Sequence, residues 1–167
     1  MTQHNETFLA DVGRFMLAGG QTLTAFSPRQ LALYTGLQLE ELAEKIGSLV
    51  PPGDYTSGDG GDFELARLTA TLNQVSADFK SGRYDAKLSN LSTEDRKEML
   101  DADFDLAWVS VGSAYSLGAK VKRAWIEGTR SNLAKLQPDG TMAKDVNGKI
   151  TKPKGWTPPD FLQFIYV

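Results

Sequence analysis

The stretch EMLDADFDLAWVSVGSAYSL, residues 98 to 117, decides the fold of this chain. Met99, Leu100, Phe104, Leu106, Ala107, Val111, Ala114 and Leu117 recur so that a helix built from them has no broad polar face. A helix of that kind is expected to be buried. It nevertheless carries Glu98, Asp101, Asp103 and Asp105, the last charges before Lys120. At about 100° per residue, Glu98, Asp101 and Asp105 share one stripe roughly 60° wide, and Asp103 points elsewhere.

Like charges on a buried stripe need compensation, because desolvating one unpaired carboxylate costs about several kcal/mol and neighbouring carboxylates repel. A divalent cation supplies that compensation compactly. Oxygen ligands without His or Cys suit Mg²⁺ or Mn²⁺ rather than zinc. The plainer reading is a solvated first helical turn, where acids also complement the helix dipole.

The chain has 167 residues, enough for one domain with its own core, and no cysteine, which excludes disulfides and thiolate metal sites. The N-terminal MTQHNETFLADVGRFML lacks a basic n-region, and nowhere do 18 apolar residues follow one another. A soluble, cytoplasmic protein without a membrane partner is expected. Net charge is −3 but unevenly placed: residues 1–118 hold 9 basic and 17 acidic groups, residues 119–154 hold 9 basic and 3 acidic. An acidic half that can hold cations beside a basic segment that can hold anions suits a metal-bound phosphate ester. The modest basic excess argues against nucleic acid as the partner.

Helical spacing of Phe8, Leu9, Val12, Phe15 and Met16 predicts a first helix over about 6–17, stopped by Gly19-Gly20. Ser27-Pro28-Arg29-Gln30 is a helix start with Ser27 as N-cap and Pro28 in the first turn. That second helix is predicted to run to about Leu49, before Pro51-Pro52-Gly53. Leu31, Leu42, Ile46 and Leu49 occupy one side of it and Leu33 and Leu37 nearly the opposite side, with Glu40, Glu41 and Glu44 extending the latter stripe. A helix apolar on two sides needs more cover than one small bundle provides, so a homo-oligomer, dimer or tetramer, is expected.

Residues 53–61 read as a flexible loop, 63–79 as a third helix, and 81–92 as a connector. Ser92 and Asp95 cap the decisive helix, and a shorter helix follows over about 119–127. Beyond residue 137 turns dominate, with a hairpin expected on Asn147-Gly148. The fold class is therefore all-α, a helical bundle with an irregular C-terminal arm.

Glu41-x-x-Glu44 and Glu98-x-x-Asp101 each put two carboxylates on one helical face, and Asp105 adds an oxygen further along. Across an antiparallel helix pair they could hold one to three Mg²⁺ ions. This pairing of ExxE with a downstream ExxD resembles the all-α nucleotide pyrophosphohydrolases, which include MazG, the dimeric dUTPases and phosphoribosyl-ATP pyrophosphohydrolase. The C-terminal half is similar to the MazG-like and phosphoribosyl-ATP pyrophosphohydrolase-like proteins common in phages, the MazZ group among them. It carries Asp105-Leu-Ala-Trp-Val109, Gly112-Ser-Ala114, Ser131-Asn-Leu-Ala-Lys-Leu136, Pro138-Asp-Gly140, Gly148-Lys-Ile-Thr-Lys152 and Pro158-Pro-Asp160.

That resemblance implies one MazG-like domain over residues 1–167, with a loop and helix inserted at about 53–90. It implies metal ligation by Glu41, Glu44, Glu98 and Asp101 with Asp105 nearby, and Glu41 or Glu40 as the water-activating base. Asn132 and Lys135 would hold the phosphates, aided by Arg130, Lys149 or Lys152. Phe15, Gln21, Thr22 and Phe26 are candidates for the base pocket. The implied reaction converts a nucleoside triphosphate to the monophosphate and pyrophosphate, with a purine such as dGTP ahead of dATP. Alternatives are phosphoribosyl-ATP, dUTP or dCTP as substrate, or a helical binding module without catalysis. A phage-encoded member would work in the host cytoplasm.

Overall fold

A computed structural model of the chain describes residues 3–53, 60–144 and 150–166, with side chains from residue 9 onward. The described residues are all-helical apart from isolated bridges. They form two compact units, Phe26–Glu94 and a second made of residues 1–25 with 95–167.

The Phe26–Glu94 unit is built on α2 (Pro28–Gly47). Ser27 starts it, extended at φ −131°, with its Oγ accepting the Gln30 N–H at 3.3 Å. That satisfies one of the amide donors every helix start leaves over. Against α2 packs α3 (Gly61–Lys80), and the line of closest approach runs through small residues. Ala32 and Ala43 are fully buried, and the buried Ser76 hydroxyl donates to the Gly36 carbonyl at 2.7 Å.

At the far end, the Arg29 guanidinium donates to the carbonyls of Phe79 (3.1 Å) and Lys80 in the last turn of α3, where the Phe79 carbonyl also accepts the Gly82 N–H at 3.1 Å. The 53–90 segment read as an insertion is thus the main partner of α2. Its expected connector contains a further helix, α4 (Asp85–Ser89), which brings Leu88 into the core. Tyr84 beside it lies 4.4 Å from the Phe79 ring, centroid to centroid. The polar residues of 81–92 concealed that anchor. With α3 and α4 both against α2, Leu31, Leu33 and Leu37 are each half-buried inside this unit.

The other unit contains α1 (Gln3–Ala18), α5 (Thr93–Ser116, the bulk of which belongs here), α6 (Val121–Leu133) and the C-terminal arm. Gly20, at φ +69°, closes α1 by a turn in which Gln21 N–H donates to the Met16 carbonyl at 3.0 Å. Helix α6 packs on α1 and is longer than periodicity predicts, so Ser131 and Asn132 are helical. The arm returns along α6, where Phe161 lies 3.6 Å from the position a Cβ on Gly128 would occupy. Ala119 and Ile165 then form an antiparallel bridge. The expected turn at Asn147-Gly148 lies outside the described residues, although Lys144 and Ile150 bridge on either side of it.

The decisive helix is not buried. No residue of α5 is buried, and no element of its own unit packs extensively against it. Trp108 is 82 % and Phe104 68 % exposed. The physical reason is supply: α1, α6 and the arm pack on one another, leaving nothing in this unit to wrap a rod that is apolar all round. Leu42 and Leu49, on one of the two apolar sides expected for α2, are exposed as well. Among the described residues no helix is long and apolar enough to cross a membrane.

Candidate functional site

Glu41 and Glu44 stand exposed on α2, one turn apart. Glu40, itself half-buried, makes an ion pair with Lys80 of α3 at 3.0 Å. Lys80 thus engages the Glu40 carboxylate, whereas Glu41 lies on the exposed face of the helix. On α5, Glu98, Asp101 and Asp105 are all exposed, and Glu98 lies 3.3 Å from the Lys97 ammonium. The desolvation that was expected to demand a cation is therefore absent in these surroundings. What remains is two exposed i, i+3 carboxylate pairs on two helices, all-oxygen donor sets that fit Mg²⁺ or Mn²⁺. Within each unit, among the described residues, no three acidic side chains converge as a ligand set.

The basic residues are better organised. Lys135, just past α6, donates to Asn132 Oδ1 at 2.9 Å and lies 5.8 Å from both the Phe15 and Trp156 ring centroids. Lys152 approaches Trp156 from the arm at 4.4 Å. Two ammonium groups thus share one indole, which attracts each through its π face. Trp156 is itself fixed, its Nε1–H donating to the Ser131 carbonyl at 2.8 Å while Ser131 Oγ donates to the Thr157 carbonyl at 3.2 Å. Sequence reading missed Trp156. The signal was available, since a tryptophan inside a Gly/Pro-rich arm has to be anchored somewhere.

Arg130 differs from these lysines. Its guanidinium grips Glu127 through two hydrogen bonds, 2.8 and 2.7 Å, and Glu127 also accepts the Asp160 N–H at 3.2 Å. A phosphate would have to compete with that carboxylate for Arg130. Lys149 lies outside the described residues.

The Arg130 hydrogen bond, opposed by burial and reinforced by the Asp160 N–H, holds the Glu127 carboxyl below the ordinary glutamate range. A lowered folded-state pKa contributes stability that is present above the ordinary value and lost as pH falls through the lowered one. The arm should accordingly stay docked down through the ordinary glutamate range and release only in stronger acid. Trp156 emission in a Trp108→Phe, Trp125→Phe background reports this. In Glu127→Gln the emission should already be that of a loosened arm at neutral pH and should not change on acidification; an unchanged acid transition in that variant would rule the clamp out.

The base-pocket candidates are scattered. Phe15 is half-buried under Lys135, and Gln21 and Thr22 are half-buried in the turn after α1. The Thr22 hydroxyl oxygen accepts the Ala25 N–H at 3.2 Å, which makes it a turn-stabilising residue. Phe26 begins the other unit and is 44 % exposed. A cleft of about 600 Å³ lies instead between α1 and the Pro138-Asp-Gly140 turn, lined by Leu9, Arg14, Leu17, Leu23, Asp139 and Thr141 among others. Asp139 accepts the Thr141 N–H and hydroxyl at 2.9 and 2.7 Å, and those bonds hold its carboxyl below the usual aspartate range. This leaves Arg14 as the cleft's cation. The sequence reading assigned none of these lining residues to a site.

No family model, curated protein or solved structure matches this chain.

Proposed function

We propose that this chain is a Mg²⁺- or Mn²⁺-dependent nucleoside triphosphate pyrophosphohydrolase, acting in the cytoplasm as a homo-oligomer, with a purine deoxynucleotide such as dGTP as substrate. The observation that carries the reading is the pair of solvent-accessible two-carboxylate grips, Glu41/Glu44 on α2 and Glu98/Asp101 on α5. The lysine-and-asparagine group at the end of α6 supports it.

In this reading the Glu41/Glu44 pair of α2 and the Glu98/Asp101 pair of α5 would each offer a cation two carboxylates, with Asp105 adding an oxygen on α5. The bound ion would polarise water and neutralise charge on the triphosphate. Glu41 takes the proton from water as its oxygen attacks the α-phosphorus; the bond to the bridging oxygen breaks, leaving nucleoside monophosphate and pyrophosphate. Asn132, Lys135 and Lys152 orient the phosphates and offset charge on the departing group.

The test is pyrophosphate release from the common dNTPs, NTPs, dUTP and phosphoribosyl-ATP with Mg²⁺ or Mn²⁺. Release from one or two nucleotides is expected, with purines ahead. Turnover of phosphoribosyl-ATP alone moves the assignment to that substrate, and silence across the panel overturns the enzymatic reading.

A further inference from the structure

Helix α5 carries an exposed apolar seam. At 100° per residue, Leu100, Phe104, Trp108, Val111 and Tyr115 fall within about 80° of its circumference, and the acids Asp101, Asp105 and Glu98 run along one edge of that strip. Each of the five seam residues is exposed, from 45 % for Val111 to 82 % for Trp108. Together they present on the order of 700 Å² of side-chain surface, close to the roughly 800 Å² that each partner contributes to a stable interface.

We infer that this seam pairs with the same seam of a second copy, antiparallel, about a two-fold axis next to Trp108. Charge sets the direction. The acids of α5 end at Asp105 and Leu106–Ser116 is uncharged, so a parallel pair would stack Asp101 on Asp101 and Asp105 on Asp105. The antiparallel pair sets each acidic half against the partner's uncharged half.

Size agrees with this. Around an axis near residue 108, Leu100 meets the partner's Tyr115 and Phe104 meets the partner's Val111. A large residue therefore faces a smaller one at both levels, which interdigitation requires. The interface gives the proposed homo-oligomer a surface. It does not depend on the catalytic part of that proposal, because a chain releasing no pyrophosphate would pair in the same way.

The absence of native cysteine makes the test direct. Light scattering of the full chain should give twice the 18.2 kDa chain mass, or a higher even multiple, and Val111→Lys should reduce it to a single chain. Under mild oxidation, mixed Leu100→Cys and Tyr115→Cys chains should form a disulfide-linked dimer. Neither variant should do so alone, since the antiparallel arrangement separates each residue from its own copy by roughly 20 Å at 1.5 Å per residue. Cross-linking of Leu100→Cys to itself would mean a parallel pair and overturn the proposal. A single-chain mass for the unaltered protein would overturn it as well. Pyrophosphate release measured on the same samples separates either failure from failure of the enzymatic reading.

Discussion

Glu41→Gln should lower the proposed pyrophosphate release by about 10²- to 10⁴-fold, the range over which a positioned general base contributes. The substitution keeps side-chain volume and removes the carboxylate that, in the proposed reaction, would hold the cation and accept the proton. Because the helix is anchored elsewhere by Ala32, Ala43 and Gly36, the fold should be retained, with circular dichroism unchanged. Glu40→Gln provides the comparison. Glu40 is tied to Lys80 at 3.0 Å, so its loss should cost rate only about several-fold and show mainly in stability, a solvent-accessible ion pair being worth up to roughly 1 kcal/mol. Equal losses of rate in both variants would make the EE pair a single electrostatic unit. A rate undiminished in Glu41→Gln would remove Glu41 from catalysis.

The all-α class was legible because the apolar spacing and the Ser27-Pro28 start are local signals, and local signals survive whatever the chain packs against. Helix α4 was not legible. Five residues cannot display a period, and what fixes Leu88 is contact with a distant helix. Burial of α5 was misjudged for a related reason: an apolar circumference says that a helix wants cover, whereas a single unit decides how much cover exists. For the candidate site, the carboxylate pairs could be read from i, i+3 spacing alone. The pairing of Glu40 with Lys80, of Arg130 with Glu127 and of two lysines with Trp156 could not, because each partner is brought in by tertiary packing. Those pairings sort the charged residues, leaving Lys135 and Lys152 better placed than Arg130 to meet a phosphate.

Gly36→Leu should unfold the Phe26–Glu94 unit at a markedly lower temperature, by the largest margin expected of any single change in it. Glycine is needed here for space, since residue 36 lies inside a helix with ordinary negative φ. A Cβ would stand 2.8 Å from Lys80 Cγ, 3.0 Å from the Ser76 carbonyl oxygen and 3.3 Å from Phe79 Cβ. The lysine stem can turn away, but the carbonyl belongs to α3 and moves only if the helices separate. Separation would also stretch the 2.7 Å bond from Ser76 Oγ to the Gly36 carbonyl.

Gly36→Ala gains about 1 kcal/mol of helix propensity and loses about 1 to 3 kcal/mol to overpacking, so a net loss of up to about 2 kcal/mol is expected. Leucine adds three more carbons to the same contact and should exceed 3 kcal/mol, a fall of roughly 10 °C for a chain of this size. Gly47, on the same helix, is the control: a Cβ there meets Thr69 Cγ2 at 3.4 Å, an ordinary contact. Gly47→Ala should be neutral or stabilising by a few tenths of a kcal/mol. A thermal melt of the three variants decides it, because equal effects at positions 36 and 47 would mean that glycine serves flexibility in α2 and not the close approach of α3.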